Sequence, residues 1–222
     1  MISLTLENFK ALTRQGNLIP IFKEIDLDYD NPLSILRKIS SKKHCFLLES
    51  SAGPEKWSQY SFLGFDPTLI ISSNQSEITI KSGKGEVKKL NKDIFLKLKE
   101  IMEKFNPVKV SGLPRFYGGL VGFFSYEIIN QIENISRKDH VRADFPDSLF
   151  MLTDSVIIFD NINKTAKIVI NVHIKDKKTY KTSYKKALDQ INKIEALLKS
   201  TKKNPYREIA RFSKETHPII SN

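Results

Sequence analysis

The chain of 222 residues lacks several features that commonly reveal where a protein works. Its one cysteine, Cys45, cannot form an intramolecular disulfide, so nothing argues for an oxidising compartment. No apolar run approaches the roughly 18 residues of a membrane span, and no basic segment leads into an apolar one at the N-terminus. These absences predict a soluble cytoplasmic protein that does not associate with a membrane.

Motifs for catalysis are also missing. The four histidines are dispersed and have no cysteine partners, so no metal-binding pattern exists in the sequence. There is no phosphate-binding loop and no G-x-S-x-G nucleophile motif, and the spacing of the mid-chain carboxylates singles out no acid and base pair. The sequence therefore predicts no catalytic residue and no metal ligand in this chain.

The net charge of +11 could indicate a nucleic-acid partner, but the excess is local. The segment 164–203 contains 12 lysines and only three acidic residues. It has no arginine for bidentate phosphate or guanine contacts, and only Tyr180 and Tyr184 for base stacking. A solvated, lysine-rich helix face is the better interpretation, and we expect no nucleic-acid partner.

Hydrophobic content of 40% and charged content of 27% are typical of a folded globular protein. Helical spacing and capping residues predict helices over residues 5–15, from 30–32 onward, and over 93–105 and 178–200. Short apolar or alternating runs predict strands at 18–22, 45–48, 60–65, 68–72, 77–81, 86–90, 155–160 and 165–173. Pro20 places the first of these strands at a sheet edge. Alternating strands, hairpin signals and scattered helices together predict the α+β class.

Three glycines stand in the apolar block from Pro114 to Glu127: Gly118, Gly119 and Gly122. Glycine weakens a strand unless a neighbouring backbone or side chain comes very close. The block does not spell G-x-G-x-x-G, so it does not indicate a dinucleotide site. We expect a strand with close neighbours at these glycines.

The stretch from Cys45 to Pro67 is the most informative part of the chain. Two short apolar runs flank a polar turn segment, as in two buried strands joined by a loop. The first run ends on Glu49, Ser50 and Ser51, and a carboxylate followed by hydroxyls at the edge of an apolar wall suits a small zwitterion with an ammonium group. The alternative is that Glu49 is solvated and the serines cap a turn.

Three blocks carry a resemblance to a known family. They read L-L-E-S with E-K-W-S-Q-Y-S-F-L-G-F-D-P, then P-R-F-Y-G-G-L-V-G-F-F-S-Y-E, then F-P-D-S-L-F-M-L-T-D-S-V-I-I-F-D. In this order they resemble the N-terminal region of anthranilate synthase component I, a chorismate-utilising enzyme. The similarity extends over nearly the whole chain.

The resemblance implies a fold of two packed antiparallel β-sheets flanked by helices. It also implies that residues 1–200 form the tryptophan-effector region and that 201–222 are a linker towards a C-terminal chorismate-binding catalytic domain, which is absent from this sequence. Because the family's catalytic groups belong to that domain, we expect no lyase activity from the 222-residue chain alone.

Members of the family convert chorismate to anthranilate and pyruvate in tryptophan biosynthesis. They use Mg²⁺, bound by the C-terminal domain, and ammonia that a glutamine amidotransferase subunit, component II, releases from glutamine. These are therefore the cofactor and the partners that the resemblance implies for the complete protein.

The resemblance further implies an allosteric pocket for L-tryptophan, the end product that inhibits the pathway. Its L-L-E-S motif places Leu48, Glu49 and Ser50 in the pocket, with Ser50 the strongest candidate. The second strand's Y-S-F places Tyr60 and Ser61 nearby. Glu49 would accept a hydrogen bond from the ligand's ammonium, and Leu48 and Tyr60 would contact the indole.

Two alternatives stay open. The same region occurs in aminodeoxychorismate synthase component I, which serves folate synthesis, although the intact K-W-S-Q-Y-S-F block favours the anthranilate enzyme. The chain could instead be a free-standing module that senses an amino acid, or one that binds an acidic partner through its lysine-rich segment.

Overall fold

The fold is described here from a computed structural model, which covers residues 2–27, 30–39, 41–42, 44–49, 59–83, 85–129, 133 and 145–200. The predicted linker 201–222 lies outside these residues, as does the predicted loop from 50 to 58. Within them the chain forms two antiparallel five-stranded sheets and four α-helices, which confirms the α+β class.

The strands follow the chain in order: β1 (Leu18–Asp26), β2 (Cys45–Leu48), β3 (Tyr60–Phe65), β4 (Leu69–Asn74), β5 (Glu77–Ser82), β6 (Val87–Asn91), β7 (Gly119–Phe124), β8 (Ser148–Thr153), β9 (Ser155–Asp160) and β10 (Thr165–His173). The first sheet has the order β1-β10-β9-β3-β2, and the second has the order β6-β5-β4-β8-β7. Every pair of neighbouring strands is antiparallel.

The helices are α1 (Leu6–Leu12), α2 (Pro32–Lys38), α3 (Ile94–Met102) and α4 (Tyr180–Lys199). Three begin on side-chain caps that satisfy free backbone N–H groups. The Thr5 hydroxyl caps α1, the Asp93 carboxylate caps α3, and Asn31 with Ser34 forms a reciprocal capping box at α2. These polar residues explain why the helices start where they do.

Each sheet has its own core. Helices α1, α2 and α4 pack on one face of the first sheet and bury its largest hydrophobic cluster, while α3 packs with the second sheet. Two contacts fix α4 in place: Lys23 Nζ lies 2.5 Å from Glu195 Oε2, and the Tyr184 hydroxyl donates to the Leu4 carbonyl at 2.7 Å. The other face of the first sheet is covered by apolar side chains of the segment 113–117.

The two sheets meet where β8 continues into β9 through Asp154. Asn171 in β10 binds this junction, because its backbone N–H donates to the Asp154 carbonyl at 2.7 Å. The Asn171 side-chain amide also donates to the Tyr117 carbonyl at 2.7 Å and to the Asp154 carbonyl at 3.4 Å. One side chain of the first sheet thus holds the segment that leads into β7 of the second.

The expected close neighbours of the glycines are confirmed at two positions. A Cβ on Gly118 would lie 2.4 Å from Nδ2 of Asn171, and the Gly118 φ of +153° disfavours any other residue. A Cβ on Gly122 would lie 2.0 Å from the Leu149 carbonyl oxygen of the paired strand β8. Glycine is therefore needed here for sheet packing.

Several predicted boundaries differ from the structure. Strand β8 was not predicted, although it lies between β4 and β7. Strand β1 runs four residues further than predicted, to Asp26, and its edge position is confirmed. The first helix ends at Leu12 rather than near residue 15, and within the block 114–127 only Gly119–Phe124 is a strand.

Replacing Gly118 with alanine should lower the free energy of unfolding by roughly 2 to 4 kcal/mol, because it adds backbone strain to a clash with the Asn171 amide. Gly83→Ala is the matched control, since a Cβ there would make only ordinary contacts, the nearest at 3.5 Å. Urea denaturation of both variants measures the effect. Equal stability of the two would show that the junction tolerates a side chain.

Candidate functional site

The antiparallel pair of β2 and β3 determines which of the predicted effector residues lie together. Leu48 stands opposite Phe62 in the register, so the two side chains share a face of the sheet. Tyr60 is two residues from Phe62 along β3 and therefore lies on that face as well. The structure brings Leu48 and Tyr60 to the same side of the first sheet.

Aromatic contacts continue this face into the protein. The rings of Tyr60 and Phe62 have centroids 6.4 Å apart, and Phe62 meets Phe116 edge to face at 5.1 Å. The phenol oxygen of Tyr60 accepts a hydrogen bond from Gln59 at 2.9 Å. The result is an apolar wall, packed in part against the segment 113–117, with one polar atom at its edge beside Tyr60.

The end of β2 is open. This strand has only four residues, lies at the edge of the first sheet, and ends at Leu48, whose side chain is 44% exposed. Glu49 follows directly and is exposed. An exposed acidic residue therefore directly follows an exposed leucine at this strand end, and its binding of an ammonium group stays a prediction.

Ser61 is in a different environment from Tyr60. Alternation along β3 directs its side chain to the opposite, helix-covered face, where the residue is fully buried at 0% exposure. Its hydroxyl accepts a hydrogen bond from the Asn161 side-chain amide at 3.0 Å. In this arrangement the Ser61 side chain supports the turn after β9 and does not face the wall that holds Tyr60.

Ser50, the strongest candidate from the sequence, lies outside the described residues. The candidate site consists in this structure of Leu48, Glu49 and Tyr60. The assignment of these residues to an effector therefore stays a prediction.

The sequence predicted the turn between β9 and β10 but did not single out Asp160, whose side chain supports it. Asp160 pairs with Tyr60 in the sheet register and is buried, at 5% exposure. Its carboxylate accepts hydrogen bonds from the backbone N–H groups of Ile162 and Asn163, at 3.1 and 3.0 Å, and from the Asn163 side-chain amide at 2.9 Å. Burial alone would raise the pKa of Asp160, but these bonds hold it below its ordinary value. The D-N-I-N sequence after an apolar run was a usable signal for this turn.

Two further surfaces bear on function. In α4 the lysines lie on the exposed side while Ala187, Ile191, Ile194 and Leu198 are buried, which confirms a lysine-rich, solvated helix face. At the β7 edge of the second sheet, exposed aromatic side chains follow one another: Phe123, Phe124, Tyr126 and Phe145. Such a patch commonly contacts another protein surface.

The described residues show neither a metal-binding cluster nor a membrane-spanning helix. No group of three or more histidine, cysteine, aspartate or glutamate side chains among them could hold a metal ion. None of the helices in the described ranges is long and apolar enough to cross a membrane.

The buried Asp160 predicts a pH dependence of stability. The pKa of Asp160 is lower in the folded protein than in the unfolded chain, where it is near 3.9, so the ionised carboxylate stabilises the fold at pH values above 3.9. This stabilisation is lost as the pH falls through the pKa of the folded state. Asp160→Asn should lower the free energy of unfolding at pH 7 by about 1 to 3 kcal/mol and flatten its decline below about pH 4. Asp189→Asn, at an exposed position of α4, is the control and should change neither. Identical acid unfolding curves for Asp160→Asn and the unmodified chain would contradict this account.

The chain is similar to known proteins over most of its length. Residues 43–217 match the family model of chorismate binding enzymes, and the match continues past residue 200 into the predicted linker. The anthranilate synthase component 1 of Acetivibrio thermocellus is 30% identical over 97% of this chain and 43% of its own length. That of Aquifex aeolicus is 35% identical over 77% of this chain and 35% of its own length.

The crystal structure of anthranilate synthase component I from Streptococcus pneumoniae overlaps 76% of this chain and 36% of that protein, with 21% identity and a TM-score of 0.46. This overlap adds nothing to the sequence matches. The chain spans less than half the length of the two curated relatives above. The family model alone matches well over half of the chain, and the chain belongs to the chorismate-binding enzyme family.

Proposed function

We propose that this chain is the N-terminal regulatory part of an anthranilate synthase component I, and that this part binds L-tryptophan. One observation supports the enzyme assignment most strongly: a curated anthranilate synthase component 1 matches 97% of the chain. The second relative named above has the same description.

The complete protein, in this proposal, converts chorismate and ammonia to anthranilate and pyruvate, and a glutamine amidotransferase subunit supplies the ammonia. The reaction needs Mg²⁺. The described residues contain no cluster of carboxylates or histidines that fits a metal ion, so we assign no ligand of Mg²⁺ to them. We place that site in the catalytic part of the complete protein.

The geometry at the end of β2 supports the effector proposal. L-Tryptophan has an ammonium group and a large apolar ring, and the end of β2 offers the exposed Glu49 directly after Leu48, which shares a sheet face with Tyr60. A charge-assisted hydrogen bond from the ammonium to Glu49 would contribute about 1.5 to 3 kcal/mol once water is excluded. Ser50 follows Glu49 directly and would complete the polar side of the pocket. Ser61 would contribute only through its backbone.

Inhibition requires that tryptophan bind the inactive arrangement of the complete protein better than the active one. A site at an open sheet edge is suited to this, because a second domain can close over it. The exposed aromatic residues at the β7 edge supply further surface that such a domain could cover. The two surfaces together support a regulatory role within a larger protein.

In the complete enzyme, replacing Ser50 with phenylalanine should raise the tryptophan concentration needed for half inhibition at least tenfold, because the larger side chain fills the polar side of the pocket. The chorismate reaction without tryptophan should keep its rate. Anthranilate fluorescence measures both quantities.

Ser76→Phe is the matched control, since Ser76 lies exposed in the turn between β4 and β5. It should leave inhibition unchanged. If Ser50→Phe stayed as sensitive to tryptophan as the unmodified enzyme, the pocket would lie elsewhere.

The isolated 222-residue chain should form no anthranilate from chorismate, ammonia and Mg²⁺. The assay is informative because residues 43–217 of this chain match the family model of chorismate binding enzymes. The purified chain is assayed at high concentration for anthranilate and pyruvate. Turnover that persists through purification would mean that catalytic groups lie within this part of the protein.

A further inference from the structure

A cavity of about 460 Å³ lies between the two sheets, away from the predicted effector residues. It is lined by the ends of β1 and β10 from the first sheet, by β7 and β8 from the second, and by the end of α3. Its volume is within the range of small-molecule sites, about 300 to 1,000 Å³. The proposed function does not use it, although residues of the second and third motif blocks, Arg115 and Asp154 among them, line it.

One part of the cavity wall is largely apolar. The rings of Phe105 and His173 are in tilted contact, with centroids 4.8 Å and planes 60° apart, and Leu152 and Met102 add aliphatic surface. Burial and the positive charge of Lys175 both lower the pKa of His173, so its ring is neutral at pH 7. The wall therefore suits an aromatic or large aliphatic group.

The remaining lining contains charges of both signs. Asp154 lines the cavity from the junction of the two sheets, and its carboxylate accepts hydrogen bonds from the Thr68 hydroxyl and from its own backbone N–H. Burial raises the pKa of the Asp154 carboxyl, and the bond from Thr68 offsets part of this effect. A partly buried carboxylate without a cation is a favourable position for an ammonium group.

Arg115 and Lys175 line the same cavity and are exposed. In the part of the chain that the structure describes, neither forms an ion pair with Asp154. Two cationic side chains and one acidic side chain thus line the same cavity as the apolar wall. Neither cation forms an ion pair with the acid in the described ranges.

From this arrangement we propose that the cavity is a second amino-acid site, which takes a free α-amino acid with an aromatic side chain. Asp154 binds the ammonium group, Arg115 and Lys175 bind the carboxylate, and the side chain packs against Phe105 and His173. A zwitterion matches both signs of charge, whereas a simple amine or a simple acid matches only one.

The cavity is separate from the predicted effector residues. Tyr60 is aligned across the first sheet with Asp160 and Thr165, at one end of β10, while His173 is at the other end. Thr165 and His173 are eight residue steps apart along β10, which is about 26 Å at the usual rise of 3.3 Å per residue. The proposal is therefore independent of the effector proposal, and the two can fail separately.

The first test compares ligands that differ by one charged group. L-Phenylalanine and L-tryptophan are titrated into the 222-residue chain by calorimetry, beside 3-phenylpropionate, which lacks the ammonium, and phenethylamine, which lacks the carboxylate. We expect each truncated compound to bind at least tenfold more weakly than L-phenylalanine. No binding by either amino acid, or equal binding by a truncated compound, would overturn the proposal.

The second test determines which side chains bind the ammonium group of the ligand and which bind its carboxylate. Asp154→Asn, which keeps the shape and the acceptor for Thr68, should weaken L-phenylalanine at least tenfold and leave 3-phenylpropionate unchanged. The double variant Arg115→Gln, Lys175→Gln should weaken L-phenylalanine at least tenfold and leave phenethylamine unchanged. Lys177→Gln, an exposed lysine that does not line the cavity, is the control and should have no effect.

Glu49→Gln separates the two sites. This variant should bind L-phenylalanine as the unmodified chain does. The proposal would be overturned if Glu49→Gln lost L-phenylalanine binding while Asp154→Asn kept it.

Amide chemical shifts provide a readout without any variant. Saturating L-phenylalanine should shift the Gly118, Gly119 and Asn171 amides, and shifts confined to Leu48 and Tyr60 would contradict a ligand in the cavity.

Discussion

The structure depends on the hydrogen bonds of one amide side chain, that of Asn171. Its donors hold the carbonyls of Tyr117 and Asp154, so strand β10 of the first sheet is bound to the entrance of β7 and to the junction of β8 and β9. Only glycine fits at position 118 beside this amide. The amide oxygen of Asn171 is buried without a partner among the described residues, so the stabilising bonds are those that its NH₂ group donates. Because a buried N–H group is costly when unpaired, these bonds resist a shift of one sheet relative to the other.

This junction also separates two regions with different chemistry. At one end of the first sheet the open strand β2 presents Leu48 and Glu49 next to the aromatic wall of Tyr60. At the other end the sheets enclose a cavity with charges of both signs. A rigid sheet between the two regions keeps their spacing fixed. Ligands at the two ends would therefore act through the surfaces that they contact and not through a distortion of the sheet.

Local pattern was enough to predict some elements and not others. The bounds of β2, β3, β9 and β10 agree with the predicted runs, because each is apolar and ends at a polar turn. Strand β8 was missed, although it is an apolar run like β9, because only Asp154 separates the two strands and no longer turn segment marks the end of β8. Side chains alternate between the two faces of a strand, so Tyr60 and Ser61 face opposite sides of the sheet. The family motif had placed both residues near the pocket. The cavity could not be predicted, because Arg115, Asp154 and Lys175 converge only through the order of strands.

The most direct measurement of the central claim is the activity of the native protein, captured from its source cells with an antibody to this chain. Chorismate, ammonia and Mg²⁺ are supplied with and without L-tryptophan, and the products are identified by chromatography and fluorescence. The account predicts anthranilate and pyruvate, with formation suppressed by tryptophan. Aminodeoxychorismate as the product, no turnover at all, or anthranilate formation that tryptophan does not affect would contradict it.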